Sequence, residues 1–163
     1  MRSLRISGAA FLCLAAVAMA ASSQTPDGHV MATLGEAKWG PAPPMLPPGA
    51  EIAVLSGNPM GNSLYTIRLK FPAGYAIPAH SHPTDEHVSV VSGTLFMGMG
   101  DKLNKATGHA LGVGGFAKMP ANANHYAFTK ETTTILLYGQ GPVEFKYVNP
   151  ADDPRNAKSS GTN

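Results

Sequence analysis

The sequence has little of several features that mark other classes of protein. Cys13 is its one cysteine, so no internal disulfide can form. Charged residues make up 13% of the chain, against roughly 25% in an average soluble domain. The 12 basic and 10 acidic residues are not clustered, which argues against a nucleic-acid-binding surface. No window shows a helical period of apolar residues, and the 18 Gly and 14 Pro residues predict frequent turns. Together these features favour an all-β fold.

A long membrane-spanning run is also missing. The one sustained apolar run, residues 8–17, is too short to span a bilayer as a permanent helix. Arg2 and Arg5 precede it, and the small-x-small pattern of residues 18–20 follows it. This arrangement predicts that residues 1–20 are a cleaved export signal and that the protein is periplasmic or secreted, without a permanent membrane anchor. The only cysteine lies in this segment, so the mature chain has no thiolate for a metal.

The rest of the chain divides into three parts. Residues 21–50 are predicted to be a flexible lead-in followed by an extended, Pro-rich arm around Met45 and Leu46. The arm has two interpretations: it covers a site or embraces a second subunit, or it docks on the outside of the domain. Residues 51–149 form the single folded domain, and residues 150–163 are predicted to be a flexible tail.

The folded part carries the signals of many short strands. From Tyr65 to Phe71, apolar and polar residues alternate, which is typical of a strand with one buried face. Strands are expected at 51–55, 65–71, 87–91, 94–99, 115–119, 125–128, 132–138 and 143–147. Strands at this spacing indicate a β-barrel or β-sandwich.

Four side chains are predicted to converge on one metal ion. His80 and His82 are two residues apart, so both imidazoles leave the same face of an extended chain. Pro83 breaks the strand, which lets the chain turn and bring Glu86 back to that surface. His125 follows a tight turn and is expected to be the fourth ligand.

Neutral imidazoles and one carboxylate suit a divalent manganese, iron, nickel, copper or zinc ion. Four protein ligands leave one or two positions open on a five- or six-coordinate ion, where a small-molecule ligand, substrate or dioxygen can bind. Because protonated imidazole cannot bind a metal, we expect the ion to be lost below about pH 5 to 6.

These spacings resemble those of the cupin superfamily. The first cupin motif, G-x5-H-x-H-x3-E-x6-G, is matched at every fixed position: Gly74, His80, His82, Glu86 and Gly93. The second, G-x5-P-x-G-x2-H-x3-N, is matched at Gly114, Pro120 and His125. It departs at Asn122, where the motif has Gly, and at Thr129, where it has Asn. Asn tolerates a left-handed backbone better than most residues, and Thr129 affects only a strand-end contact.

The resemblance covers residues 51–149 and implies a jelly-roll, double-stranded β-barrel. With residues 141–154 and the export signal, the chain is similar to small exported bacterial single-domain cupins. Such cupins often pair through edge strands and arms, which implies a homodimer. Cupins with this ligand set include dioxygenases, isomerases, lyases and decarboxylases, and in some relatives the carboxylate acts as a base, which implies a catalytic role for Glu86.

Three functions remain open at this stage. The first is a metal-dependent enzyme acting on a small molecule, with an oxygen-dependent oxidoreductase favoured and an isomerase or lyase close behind. The second is a non-catalytic protein that binds or senses a sugar or organic acid in a metal-organised pocket. The third, a purely structural metal, fits least well, because structural sites are usually filled by protein ligands.

Further residues are assigned by strand parity. The candidate pocket residues are Tyr65, Phe96, Met97, Met99, Phe128 and Tyr138. His87 directly follows Glu86, so it is expected to point outward, and Asp85 has the same parity. His109 is expected at the surface, with a role at the barrel edge left open.

Overall fold

The computed structural model describes residues 29–156, and they form an all-β fold. The strands are β1 (Gly40–Pro41), β2 (Glu51–Ser56), β3 (Leu64–Phe71), β4 (Ala76–Ser81), β5 (Glu86–Ser92), β6 (Leu95–Met99), β7 (His109–Leu111), β8 (Phe116–Met119), β9 (His125–Thr129), β10 (Thr133–Gln140) and β11 (Lys146–Tyr147). Short 3-10 helices lie at Leu34–Glu36, Pro150–Asp152 and Pro154–Asn156. Among these elements there is no helix long and apolar enough to cross a membrane. The predicted export signal lies outside the described residues.

The strands form two antiparallel sheets. The first has the order β1-β2-β3-β10-β5-β8, and the second has the order β11-β4-β9-β6-β7. Apart from β1-β2-β3 and β6-β7, neighbouring strands are distant in sequence, for example β3 with β10 and β4 with β9, as in a jelly roll. The predicted all-β jelly-roll class is therefore confirmed.

Alternation places the core between the sheets. In β3, Tyr65, Ile67, Leu69 and Phe71 are buried, and the residues between them are more exposed. Their partners on β10 and β5 continue the same inner face, so one apolar core fills the barrel. This interior also holds the predicted metal ligands.

The segment before β2 does not form the predicted extended arm. Its chain turns instead, with the Leu46 amide donating to the Pro43 carbonyl at 3.0 Å. Leu46 is 5% exposed and belongs to the core. The Tyr147 hydroxyl donates to the Met45 carbonyl at 2.8 Å, and the Tyr75 hydroxyl donates to the Pro47 carbonyl. The segment therefore closes one end of the barrel.

The described part of the C-terminal segment is also ordered, although a flexible tail was predicted from residue 150. Residues 150–156 form the two 3-10 turns. The Arg155 guanidinium pairs with Asp153 at 2.7 Å and donates to the Phe145 carbonyl at 2.8 Å. This contact holds the turns against the chain that leads into β11.

Candidate metal centre

Each of the three histidines is fixed by a backbone carbonyl at its Nδ1 atom. The Nδ1 atoms of His80, His82 and His125 lie 2.7, 2.6 and 2.9 Å from the carbonyls of Pro78, Glu144 and Ala123. A carbonyl can only accept, so each Nδ1 carries the proton and each Nε2 keeps a free lone pair. The backbone therefore sets the tautomer that a metal requires.

The three imidazoles meet inside the barrel. Their ligand atoms lie within 4.8 Å of one another, and all three side chains are buried. The Glu86 carboxylate joins them, with one oxygen 3.5 Å from His82 Nε2 and the other 3.5 Å from His125 Nε2. Ligands of one ion at about 2.1 Å lie roughly 3 to 4 Å apart, so the set is close to a coordination sphere.

The fold explains why ligands from distant parts of the sequence converge. His80 on β4 pairs directly with His125 on β9. The turn before His125 is tied to the first ligand loop, because the Asn122 amide donates to the His82 carbonyl at 2.7 Å. Asp85 adds a second tie by accepting from the Ala121 amide at 2.9 Å.

The two departures from the cupin motifs fit their positions. Asn122 has a φ of 62°, in the left-handed region that the usual Gly would adopt. Thr129 is 2% exposed, and its hydroxyl donates to the Pro72 carbonyl at 2.7 Å. The matched Gly93 is also required by geometry, since its φ is 73° and a Cβ would lie 2.5 Å from the Thr132 carbonyl oxygen.

Burial and neighbouring charges set the protonation of the ligands. Burial, reinforced by His125 and His82, lowers the pKa of His80 to about 3. Burial disfavours the charged form of both Glu86 and His125, but the attraction between the two charged groups outweighs it. The pKa of Glu86 is therefore lowered and the pKa of His125 is raised. The centre therefore favours an ionised carboxylate and a neutral His80.

The donor set fits a divalent metal ion. His82 Nε2 is buried without a hydrogen-bond partner among the described residues, a costly arrangement that a bound ion would relieve. Nitrogen and carboxylate donors suit the first-row metals predicted from the sequence. Three buried histidines that could hold a metal are thus present; the identity of the ion remains a prediction.

Phe145 and Leu46 complete the site, and sequence reasoning missed the role of both. The Phe145 ring stacks on His80, with centroids 4.6 Å apart and planes 20° from parallel, and lies edge-on to His82 at 4.5 Å. Leu46 and Phe145 both line the cavity that contains His80, Glu86 and His125. Neither lies near a motif, and the one signal for Leu46 was an apolar residue among prolines.

The candidate pocket residues divide into two groups. Met97 lines the cavity beside the histidines. Tyr65 is also buried on the inner face, where burial and then the charge of Glu86 raise the pKa of its hydroxyl. Gly139 pairs with both Tyr65 and Glu86, so only a glycine separates them across the sheet.

The other four candidates do not line this cavity. Phe96 and Phe128 stack on each other at 4.9 Å on the opposite face of the second sheet. Tyr138 alternates with the cavity residue Leu137 and so faces outward, and Met99 is 58% exposed. Phe96, Phe128 and Tyr138 lie on the outer faces of their strands, which alternation alone did not distinguish from the inner ones. Met99 has the parity of Met97 but lies at the exposed end of β6.

The remaining candidates lie outside the ligand cluster. His87 stacks on Tyr138, with centroids 5.0 Å apart, on the outer face of the first sheet. Asp85 forms an ion pair with Lys118 at 2.6 Å. His109 is exposed on β7, where it pairs with Met97. The parity argument for His87 and Asp85 therefore agrees with their placement.

Comparisons with known proteins agree with this architecture. The sequence pattern of the ChrR cupin-like domain family matches residues 27–144. No curated protein matches the chain as a relative.

Solved structures share the fold at low identity. A provisionally assigned acetylacetone dioxygenase from Methylibium petroleiphilum has a TM-score of 0.59 and 20% identity, over 77% of this chain and 85% of that one. The polyketide cyclase RemF from Streptomyces resistomycificus has a TM-score of 0.54 and 17% identity, over 64% and 75%. An RmlC-like cupin from Shewanella frigidimarina has a TM-score of 0.52 and 15% identity, over 67% and 87%. At these identities the likeness concerns the fold alone. Because the family pattern spans most of the chain, this protein belongs to the ChrR cupin-like family of the cupin superfamily.

Proposed function

We propose that this protein is an exported, metal-dependent cupin enzyme that acts on a small molecule as an oxygen-dependent oxidoreductase. The observation that carries the proposal is the set of three imidazoles with free Nε2 lone pairs, gathered beside one carboxylate. A divalent ion held by His80, His82, Glu86 and His125 supplies a Lewis acid or a redox centre when bound.

The walls of the site favour chemistry centred on the metal. Of the described residues that line the cavity, only His80, Glu86 and His125 are polar, and all three are proposed ligands. The chain's own residues therefore hold the substrate by apolar contact and exclude water, while Glu86 is the one group placed to accept a proton. Proteins of similar fold are named as an acetylacetone dioxygenase and a polyketide cyclase. The fold is therefore compatible with an oxidoreductase and with an isomerase- or lyase-type reaction.

Elemental analysis of natively purified protein, followed by oxygen-electrode assays with small oxygenated compounds, tests the proposal. Iron or manganese near one equivalent, with oxygen uptake that the His125→Ala variant lacks, supports an oxidoreductase. Zinc with turnover but no oxygen uptake favours an isomerase or lyase. Zinc without any turnover favours a non-catalytic binding protein, and a native protein without any transition metal contradicts the proposal.

Export and pairing are further parts of the proposal. Cell fractionation combined with intact mass tests export: the expected species lacks residues 1–20 and is found outside the cytoplasm. Light scattering tests the homodimer, and the mass of a single chain would contradict it.

A further inference from the structure

The described residues enclose two adjoining cavities in the barrel; His80 and His125 line only the first, and Glu86 lines both. The first, of about 30 Å³, is bounded by His80, Glu86 and His125. The second, of about 60 Å³, lies beneath the segment that closes the barrel and is bounded by Met45, Ile52 and Val143 among others. One water molecule needs roughly 10 to 15 Å³ of such cavity volume, so the two cavities together have room for a small organic molecule.

The two cavities share part of their walls. Leu46, Leu69, Glu86, Leu137 and Phe145 line both of them. Leu46 and Phe145 therefore stand at the boundary between the ligand cluster and the second cavity. A molecule that reaches the histidines can place its remaining atoms in the second cavity.

The second cavity has an apolar wall. Apart from Glu86, every residue that lines it is apolar, including two prolines and two methionines. Glu86 is already committed to the ligand cluster through His82 and His125. Within residues 29–156, no lysine, arginine, hydroxyl or amide side chain lines either cavity.

We propose that the ligand is a small molecule with one oxygen-bearing head, which faces the histidines, and an apolar body without further charge or hydroxyl groups, which fills the second cavity. This inference rests on the proposed function, because it places the head at the same metal centre. A sugar would leave several hydroxyl groups buried without partners, and a second carboxylate would be buried without a cation. The sugar-binding alternative is thus disfavoured by the chemistry of the wall.

Leu46 sets the width of the passage between the cavities. The carbonyls on either side of it, at Met45 and Pro47, accept hydrogen bonds from the Tyr147 and Tyr75 hydroxyls. The backbone at Leu46 is therefore fixed, and the size of its side chain determines how far a ligand body extends.

The first experiment compares two acids with the same head and the same length. The full chain is loaded with Zn²⁺, its metal content is measured, and pentanoate and glutarate are titrated by calorimetry. Pentanoate is expected to bind at least about tenfold more tightly, because only glutarate carries a second charge into the apolar cavity. Equal binding, or tighter binding of glutarate, overturns the inference.

The second experiment tests the passage through Leu46→Ala, with Leu136→Ala on the outer face of β10 as the matched control. The ratio of heptanoate to pentanoate affinity should rise severalfold in Leu46→Ala and stay unchanged in Leu136→Ala; no change in Leu46→Ala overturns the inference. If Leu46→Ala does not fold, Leu46→Val gives the same comparison with a smaller rise. A chain that takes up no metal overturns the proposed function and this inference with it, whereas a metal-loaded chain that binds both acids equally overturns this inference alone.

Discussion

Replacing His82 with alanine should remove the stabilisation that a metal ion gives to the folded chain. The Nε2 atom of His82 is buried, has no hydrogen-bond partner in the described part of the chain and lies 3.5 Å from the Glu86 carboxylate. An ion that binds only the folded state adds about 2.7 kcal/mol of stability when its free concentration is 100 times its Kd. For a domain of this size, that corresponds to a rise in Tm of roughly 10 °C.

The variant should lose most of this shift. Groups that merely support a ligand are typically worth 10- to 100-fold in metal affinity, so loss of a ligand should cost about 100-fold or more. At the same free Zn²⁺ concentration, the remaining stabilisation is about 0.4 kcal/mol, or roughly 1 to 2 °C. The assay is thermal unfolding with and without buffered Zn²⁺, and the comparison is between shifts, because the metal-free Tm of the variant will also change.

His87→Ala is the matched control. His87 is next to Glu86 in sequence but stacks on Tyr138 on the outer face, so this variant should keep the full shift. The reasoning is refuted if His82→Ala keeps the full shift, or if His87→Ala loses it.

Three other predictions follow from the same structure. The metal should be released as the pH falls below about 5 to 6. Burial lowers the pKa of His125, but the Glu86 carboxylate raises it by more, so on acidification a proton competes with the metal for this imidazole. Metal that is retained after dialysis at pH 4 would contradict this prediction. Gly98→Ala should lower the free energy of unfolding by about 2 kcal/mol in a denaturant titration, because the new Cβ would lie 2.2 Å from the hydroxyl of the buried Tyr126. Gly112→Ala is the control and should have little effect, because the Cβ there would have no non-adjacent neighbour within 4 Å among the described residues. Phe145→Leu should weaken Zn²⁺ binding about tenfold in a competition assay with a chelating dye, because the ring that packs on two ligand imidazoles is lost; unchanged affinity would show that the ring does not orient them.

The convergence of His80, His82 and Glu86 was predictable because it depends on local rules. Side chains two apart on an extended chain share a face, and this places His80 and His82 together whatever the rest of the fold does. A short turn then returns Glu86 to the same surface. His125 was expected from the turn before it and from the resemblance to the cupin motifs, but its position depends on the pairing of β4 with β9, which no local rule predicts.

The cavity walls were less predictable because parity does not identify the inner face. Phe128 is 1% exposed, as a pocket residue would be, but it packs on Phe96 on the far side of the sheet, where Gly108 also approaches its ring. Both faces of β9 are thus buried, and burial no longer separates inside from outside. The bounds of strand β4 were not predicted, although His80 and His82 were expected on an extended chain that ends at Pro83. Pro78 is accommodated where the pairing of β4 with β9 is irregular.

The contributions of Leu46 and Phe145 depend on tertiary structure alone. Leu46 lies among prolines and Phe145 lies in a segment expected to be a strand, but neither signal showed that the side chain would reach the histidines. Such contacts leave no local pattern in the sequence.

The most direct test of the central claim is an anomalous difference map from crystals of metal-loaded protein, collected at the absorption edge of the bound metal. One peak per chain is expected, about 2.0 to 2.2 Å from the Nε2 atoms of His80, His82 and His125 and within coordination distance of a Glu86 oxygen. A peak at any other set of residues, or no peak at these histidines in fully loaded protein, would contradict it.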